Sequence, residues 1–244
     1  MISKNQIKYI RQLELKKYRK REGVFVAEGP KVVGDLLRHY QPVAVYATEE
    51  WQGVGATLVT EDELHRISFL QHPQQVLALF RLPQEISLSS FHFPLSSLSL
   101  ALDGVQDPGN LGTIIRIADW FGIDTIYCSE DTADAYNPKV VQATMGSIAH
   151  VNIIYTDLLS LFDNLPPSFP IYGTLLDGED IYQQPLSNEG IIVMGNEGNG
   201  ISEAVRQKVN HRLLIPCFRE GDTAESLNVA IATAITCSEF RRRK

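Results

Sequence analysis

Cysteine is scarce in this chain: Cys128, Cys217 and Cys237 lie far apart in 244 residues. An odd, scattered trio makes neither a disulfide framework nor a metal-ligand cluster, which argues against a stapled secreted fold and for a reducing cytoplasm. The six histidines show no HExxH or comparable spacing, so no metal site is expected. No apolar run approaches a membrane span, and Met1-Ile2-Ser3-Lys4 leads into charged sequence rather than a signal h-region. An excess of basic charge is missing as well. The formal net charge is −7, which weighs against attraction of nucleic acid by the protein as a whole.

The basic residues that are present are unevenly placed. Residues 1–90 hold 12 Lys and Arg against 10 Asp and Glu, whereas residues 91–244 hold 10 against 19. Lys4, Lys8, Arg11, Lys16, Lys17, Arg19, Lys20 and Arg21 crowd the first 22 residues against Glu14 and Glu22. Phosphate recognition needs a local patch, not a basic protein. Lys16, Lys17, Arg19, Lys20 and Arg21 are therefore candidate phosphate contacts. The same residues also suit a solvated helix face. The tail Arg241-Arg242-Arg243-Lys244 suits the negative end of a helix.

With 44% hydrophobic residues, the chain can bury one large core or two smaller ones. Ile7, Ile10, Leu13 and Leu15 give a helical stripe over about 4–20. A strand at 24–27, a helix opened by Pro30, strands at 43–47 and 56–59, a charged helix near 61–66 and a strand at 76–80 complete a small α/β unit. Leu82 to Ser99 carries six serines and two prolines and reads as a linker. Domains at 1–90 and 98–244 follow. The second alternates strands at 99–102, 124–128, 151–154, 170–175, 190–194 and 212–215 with helices at 111–121, 138–149, 202–209 and 226–240. Such alternation predicts a mostly parallel sheet covered by helices.

Three loops in that second part carry the chemistry. Asp107-Pro108-Gly109-Asn110 follows an apolar strand and opens a helix whose buried face is Leu111, Ile114, Ile115, Ala118 and Phe121. Arg116 falls off that face; it can reach a phosphate as a fixed fork, or pair with Asp119 at the surface. Gly195-Asn196-Glu197-Gly198-Asn199-Gly200 is not a GxGxxG fingerprint, and the carboxylate inside it would repel a phosphate. Glu197 also suits capping of backbone N–H groups. Ser226-Leu227-Asn228 leads into the last helix, with Ser226 a plausible N-cap and no GxSxG context to make it a nucleophile. Asn228 suits orienting loop carbonyls or a ribose. In parallel sheets, ligands bind at loops of this kind.

Taken together the loops resemble the SpoU (TrmH-type) branch of the SPOUT methyltransferases. The turn Glu28-Gly29 after an apolar strand is similar to the RNA-binding domain that many members carry in front. The resemblance implies an S-adenosylmethionine-dependent RNA methyltransferase acting on a ribose 2′-hydroxyl in structured RNA, ribosomal in preference to transfer RNA. It implies Asn110, Arg116, Glu197, Ser226 and Asn228 as catalytic residues, and Thr174, Gly195, Ile215 and Leu227 as largely backbone contacts to the cofactor. It also implies that the basic cluster at 16–21 meets RNA, that the C-terminal part is an α/β trefoil knot, and that the protein is a cytoplasmic homodimer. The segment between Pro216 and Ser226 is longer than the family pattern, while Ile117 and Ala230 replace a common threonine and serine; these departures bear on substrate choice. One rival is a non-catalytic RNA-binding module that keeps the scaffold, separable by cofactor binding. The other, a nucleotide-binding oxidoreductase, requires the GxGxxG turn that is missing.

Overall fold

The computed structural model describes residues 2–51, 53–84, 96–219, 221 and 225–242. The chain divides into two compact units, Met1–Gln84 with Asp134–Ala149, and Glu85–Ala133 with His150–Lys244. Most of the serine-rich stretch read as a linker, 85–95, lies outside the described residues.

In the first unit, Ser3 and Gln6 form a capping box that opens α1 (Lys4–Gln12). The single helix expected over 4–20 is broken, and α2 (Lys16–Glu22) follows as a separate element. Leu13 is fully buried, whereas Leu15 is exposed on extended backbone. Arg19 holds the break: its guanidinium donates to the Leu13 and Glu14 carbonyls, both at 2.6 Å. A continuous helix would have used those carbonyls itself.

Four strands form this unit's sheet: β1 (Val24–Glu28), β2 (Pro42–Ala47), β3 (Thr57–Leu58) and β4 (Val76–Arg81). Their order is β1-β4-β2-β3, with β4 antiparallel to β1 and β2, and β3 parallel to β2. Ile10, Leu13, Val24, Val26, Leu64, Ile67, Leu77 and Leu79 form one core, drawing on α1 and α4 (Glu61–Ile67). The Phe25 ring packs at a tilt against Phe80 and against Tyr136, with centroids 5.8 and 5.0 Å away. Here α3 (Pro30–Leu37) joins α6 (Pro138–Ala143), which packs on β1. The helix expected over 138–149 stops early, because Met145 and Gly146 have φ of 53° and 101° before a 3-10 turn at Ser147–Ala149. A Cβ on Gly146 would lie 2.6 Å from an Asp35 carboxylate oxygen, so the close approach to α3 requires glycine.

Arg19, expected to meet phosphate, is instead structural. It is 2% exposed and pairs with Asp134 at 2.5 Å, so its charge is spent inside the first unit. Arg19→Ala would strand a carboxylate and two carbonyls. The expected loss is about 3–5 kcal/mol of stability, read from the urea midpoint; a loss below about 1 kcal/mol would place the pair among weak surface bridges.

The second unit contains β5 (Leu98–Asp103), β6 (Thr125–Cys128), β7 (Asn152–Tyr155), β8 (Ile171–Asp180), β9 (Gly190–Gly195) and β10 (His211–Leu214). The order is β10-β8-β9-β5-β6-β7, and every neighbouring pair is parallel. Continuous apolar runs fit such a sheet, since β6 and β9 are buried throughout. Ala101, Tyr127, Ile191 and Val193 share a core with α7 (Leu158–Asp163) and α8 (Glu203–Arg206). The six-residue α7 was not expected; it is too short to show a helical period, although Asp157 caps it at the Leu159 and Ser160 N–H groups. α8 is shorter than the helix expected at 202–209. α5 (Pro108–Trp120) and α9 (Val229–Arg242) pack on each other.

This strand order positions the site. The chain steps outward from β5 to β6 and β7, then returns on the other side, where β9 lies between β8 and β5. The loops after β5 and β9 therefore leave the same sheet edge where strand order reverses, the usual ligand crevice of such folds.

Candidate active site

β5 and β9 stay in register to their last residues, Asp103 opposite Gly195, so their loops start side by side. Asn196 joins them, its Nδ2 donating to the Gly104 carbonyl at 2.7 Å while its Oδ1 accepts from the Gly198 and Asn199 N–H groups. The Asp103 carboxylate accepts from the Ser202 N–H at 2.7 Å. α5 then starts at once: Asp107 accepts from the Asn110 N–H at 2.8 Å, and Pro108 takes the first helical position.

Glu197 closes the first loop against the second. Its carboxylate accepts from the Gln106 and Asp107 N–H groups, each at 3.1 Å, and from Asn110 Nδ2 at 3.0 Å. Asn110 Oδ1 accepts in turn from Asn228 Nδ2 at 2.9 Å, which ties in the third loop. Asn228 Oδ1 accepts from the Ala230 and Ile231 N–H groups at 3.0 and 3.3 Å. One chain of hydrogen bonds thus spans all three loops. Desolvation pushes the Glu197 carboxyl up, but the hydrogen bonds from Asn110, Gln106 and Asp107 outweigh it and hold the group below its ordinary range. Capping of backbone N–H groups was expected of Glu197; those it caps belong to the neighbouring loop rather than to its own turn.

Beside this network lies a cavity of about 300 Å³, at the lower end of the range for small-molecule sites. Thr174, Gly195, Ile215 and Leu227, the four expected cofactor contacts, all line it, as do Glu197 and Ser226. Its walls add Leu175, Met194, Leu213 and Val229, with Glu225 as a second carboxylate and, among the described residues, no Lys or Arg. Thr174 is fixed by donating to the Val193 carbonyl at 3.1 Å. The Leu227 N–H makes no hydrogen bond among the described residues. Apolar walls, free backbone and two carboxylates fit S-adenosylmethionine, an uncharged purine joined to a sulfonium. They do not fit a dinucleotide pyrophosphate, which calls for cations or a glycine-rich helix start.

One expectation about this region changes. Ser226 is not the N-cap of the last helix, which starts at Val229; Asn228 makes the capping bonds, and Ser226 is left exposed. Arg116 is exposed on α5 and does not line the cavity; Asp119, the alternative surface partner, instead pairs with His150 at 3.1 Å. Sequence reasoning missed Asn196 and Asp107. The order Asp-Pro at a helix start was a readable signal for Asp107, whereas nothing local singles out the contact from Asn196 to Gly104.

Gly195 is required by packing. A Cβ there would lie 2.2 Å from the backbone of Gly200 and Ile201, whose positions are set by paired hydrogen bonds between Asn196 and Gly200. Gly195→Ala is expected to cost at least about 2 kcal/mol and to weaken cofactor binding with it. Thermal unfolding checks the first effect; an unchanged midpoint would mean that the loop can open without cost.

Fold and site together define a parallel α/β protein with a backbone-rich, acidic cavity at the C-terminal edge of its sheet, suited to a small cationic ligand. Residues 97–238 match the model of the SpoU rRNA Methylase family, and residues 4–78 match that of the MRM3-like substrate binding domain. The chain belongs to the SpoU rRNA methylase family, as its three loops implied. It is 33% identical to the 23S rRNA (guanosine(2553)-2'-O)-methyltransferase RlmP of Bacillus subtilis (strain 168), over 98% of this chain and 97% of the relative. A solved TrmH-family protein from Porphyromonas gingivalis superposes with a TM-score of 0.86 at 43% identity, covering 100% of both chains. The AdoMet-bound rRNA methyltransferase from Sinorhizobium meliloti gives a TM-score of 0.86 at 30% identity, covering 100% of this chain and 97% of its own.

Proposed function

We propose that the chain transfers the methyl group of S-adenosylmethionine to a ribose 2′-hydroxyl of structured RNA, ribosomal rather than transfer RNA. The observation that carries this reading is the Glu197–Asn110–Asn228 chain of hydrogen bonds, which closes three strand-end loops beside one acidic, backbone-rich cavity. Bound S-adenosylmethionine supplies a methyl group already activated on a sulfonium. The protein's task is then to align an acceptor and handle one proton, which is mainly a matter of positioning. Thr174, Gly195, Ile215 and Leu227 hold the cofactor, and Glu197 and Glu225 balance its charge. Glu197, Asn110 and Asn228 act as positioning residues. Ser226 offers a hydroxyl uncommitted among the described residues, and Arg116 receives a substrate phosphate as a planar fork.

The family assignment and the named activity of the RlmP relative support a catalyst over a scaffold that merely binds RNA. The same relative, acting on ribosomal RNA, supports that substrate. Residues 1–90 serve as the RNA-gripping part and 98–244 as the catalytic part. Lys16, Lys17, Lys20 and Arg21 are exposed, and Lys17 and Arg21 both lie over the Tyr18 ring, at 5.0 and 4.8 Å. These four keep the phosphate-contact role that Arg19 loses. We further assign the second unit a trefoil knot, in keeping with the family and with β9 inserted between β8 and β5. A homodimer is supported by Trp120 and Ile231, exposed apolar side chains on the mutually packed α5 and α9. Among the described residues no helix is long and apolar enough to cross a membrane, and the cytoplasm is the compartment that suits an RNA substrate and free thiols. Mapping ribose methylation in RNA from cells lacking this gene tests the reading. One missing 2′-O-methyl group in ribosomal RNA, restored by the purified protein with cofactor, is the expected result; an unchanged map with no cofactor binding overturns it.

A further inference from the structure

A second cavity is separate from the proposed cofactor site. It lies in the first unit and has a volume of about 680 Å³. Its walls come from the start of α3, from Thr48 after β2, from α4, and from the loop 71–75 that leads into β4. The charge of that lining decides what it can hold. Among the described residues it contains the carboxylate of Glu61 and no Lys or Arg, so a bare phosphate would meet repulsion. Besides the Thr48 hydroxyl, which donates to the Gln75 carbonyl, the uncharged polar groups are the carboxamides of Gln71, Gln74 and Gln75 and the imidazoles of His65 and His72. Pro30, Leu64 and Pro73 supply apolar surface. Among the described residues none of those five polar side chains makes a hydrogen bond within the chain.

The end of the loop is tied to its surroundings. Gln75 has φ of 45°, a region that non-glycine residues rarely enter. Its carbonyl accepts from the Thr48 N–H at 2.9 Å, and the Gln74 carbonyl accepts from the Val76 N–H. The backbone of Gln74 and Gln75 is thus tied to its neighbours, while the amides themselves remain uncommitted among the described residues.

We propose that this cavity takes an unpaired nucleobase of the RNA substrate, an inference that rests on the reading of the chain as an RNA methyltransferase. A nucleobase is planar and uncharged, with donors and acceptors along its edge and apolar faces. Proteins read RNA sequence mainly on such splayed-out bases. A carboxamide presents a donor and an acceptor side by side, which matches a base edge such as that of adenine. Glu61 suits an exocyclic amino group. The cavity would then choose sequence context, while the exposed cations at 16–21 hold the backbone without regard to sequence.

The test uses the full-length protein and fluorescence polarisation with a short single-stranded RNA, set against a strand of equal length with abasic riboses. Wild type is expected to prefer the strand that carries bases. Combining Gln71→Ala, His72→Ala and Gln74→Ala should weaken binding of that strand roughly tenfold and leave the abasic strand unchanged. These side chains are exposed, so the melting temperature should hold. A variant that still folds but binds both strands as wild type does, or loses equally on both, overturns the pocket. Glu61→Gln gives an independent arm, because it should alter the order of preference among A-, C-, G- and U-rich strands; an unchanged order counts against the pocket. Calorimetry with S-adenosylmethionine separates this failure from that of the functional reading. Cofactor binding and RNA methylation with no base dependence sink the pocket alone, whereas binding of neither cofactor nor RNA sinks both.

Discussion

Arg116→Ala is expected to lower methyl transfer about a hundredfold or more while leaving cofactor affinity and melting temperature close to wild type. The side chain is exposed on α5, outside the cavity lining, and among the described residues it has no ion-pair or hydrogen-bond partner. Its nearest sequence candidate, Asp119, is occupied by His150. α5 does not depend on Arg116, because Leu111, Ile114, Ile115 and Ala118 anchor the buried face of the helix. An exposed arginine of this kind is usually worth within about 0.5 kcal/mol of stability. Arg116→Lys keeps the charge but not the planar fork, so it should recover little of the rate if two phosphate oxygens are gripped together. Single-turnover methylation, calorimetry with the cofactor and thermal unfolding separate these effects. A fall of several degrees in melting temperature would return Arg116 to a structural role.

Only half of the fold and site was legible in the sequence. The strands of the second unit declare themselves as short apolar runs, and the three loops as breaks into Gly, Pro and Asn at their ends. The family resemblance carried by those loops implied Thr174, Gly195, Ile215 and Leu227 as cofactor contacts, and all four line one cavity. What the sequence hid was decided by tertiary contact. The break between α1 and α2 depends on Arg19 taking two carbonyls, and Arg19 is buried only because Asp134, 115 residues away, meets it. Nothing local distinguishes that arginine from Lys16 or Lys20. Likewise the pattern of α6 shows an apolar face without showing which sheet it covers, and that sheet belongs to the first unit. Deleting residues 1–90 would therefore leave Val140 and Val141, both buried against that unit, without a core. Ser226 and Asn228 are equally good capping residues on paper. The choice fell to Asn228 because its amide also serves Asn110.

Asn228→Asp is expected to lower cofactor affinity about tenfold with little change in melting temperature, whereas Asn228→Ala should lower both. The reason lies in the direction of the hydrogen bonds. An ionised Glu197 can only accept, so Asn110 must turn its Nδ2 toward it and its Oδ1 toward Asn228. Asn228 must then present Nδ2 to Asn110, which leaves its Oδ1 for the start of α9. Aspartate keeps the acceptor for the helix and suits its positive end. It sets an oxygen against Asn110 Oδ1, however, where a donor stood at 2.9 Å. If Asn110 turns to answer it, Glu197 loses its side-chain donor, so one joint opens either way at a cost of about 1–3 kcal/mol. The lower end applies here because Glu197 and Asn228 are exposed and Asn110 is only half-buried. Alanine removes the cap as well, a further loss of about 1 kcal/mol. The pH dependence follows the same logic. Glu197 has its folded-state pKa depressed, so its contribution is complete above the ordinary glutamate range and is lost as pH falls through the lowered value. Calorimetry with S-adenosylmethionine should show affinity persisting through the ordinary glutamate range and failing only below it. An aspartate variant that binds the cofactor as tightly as wild type would show that the three loops keep their places without this chain of amides.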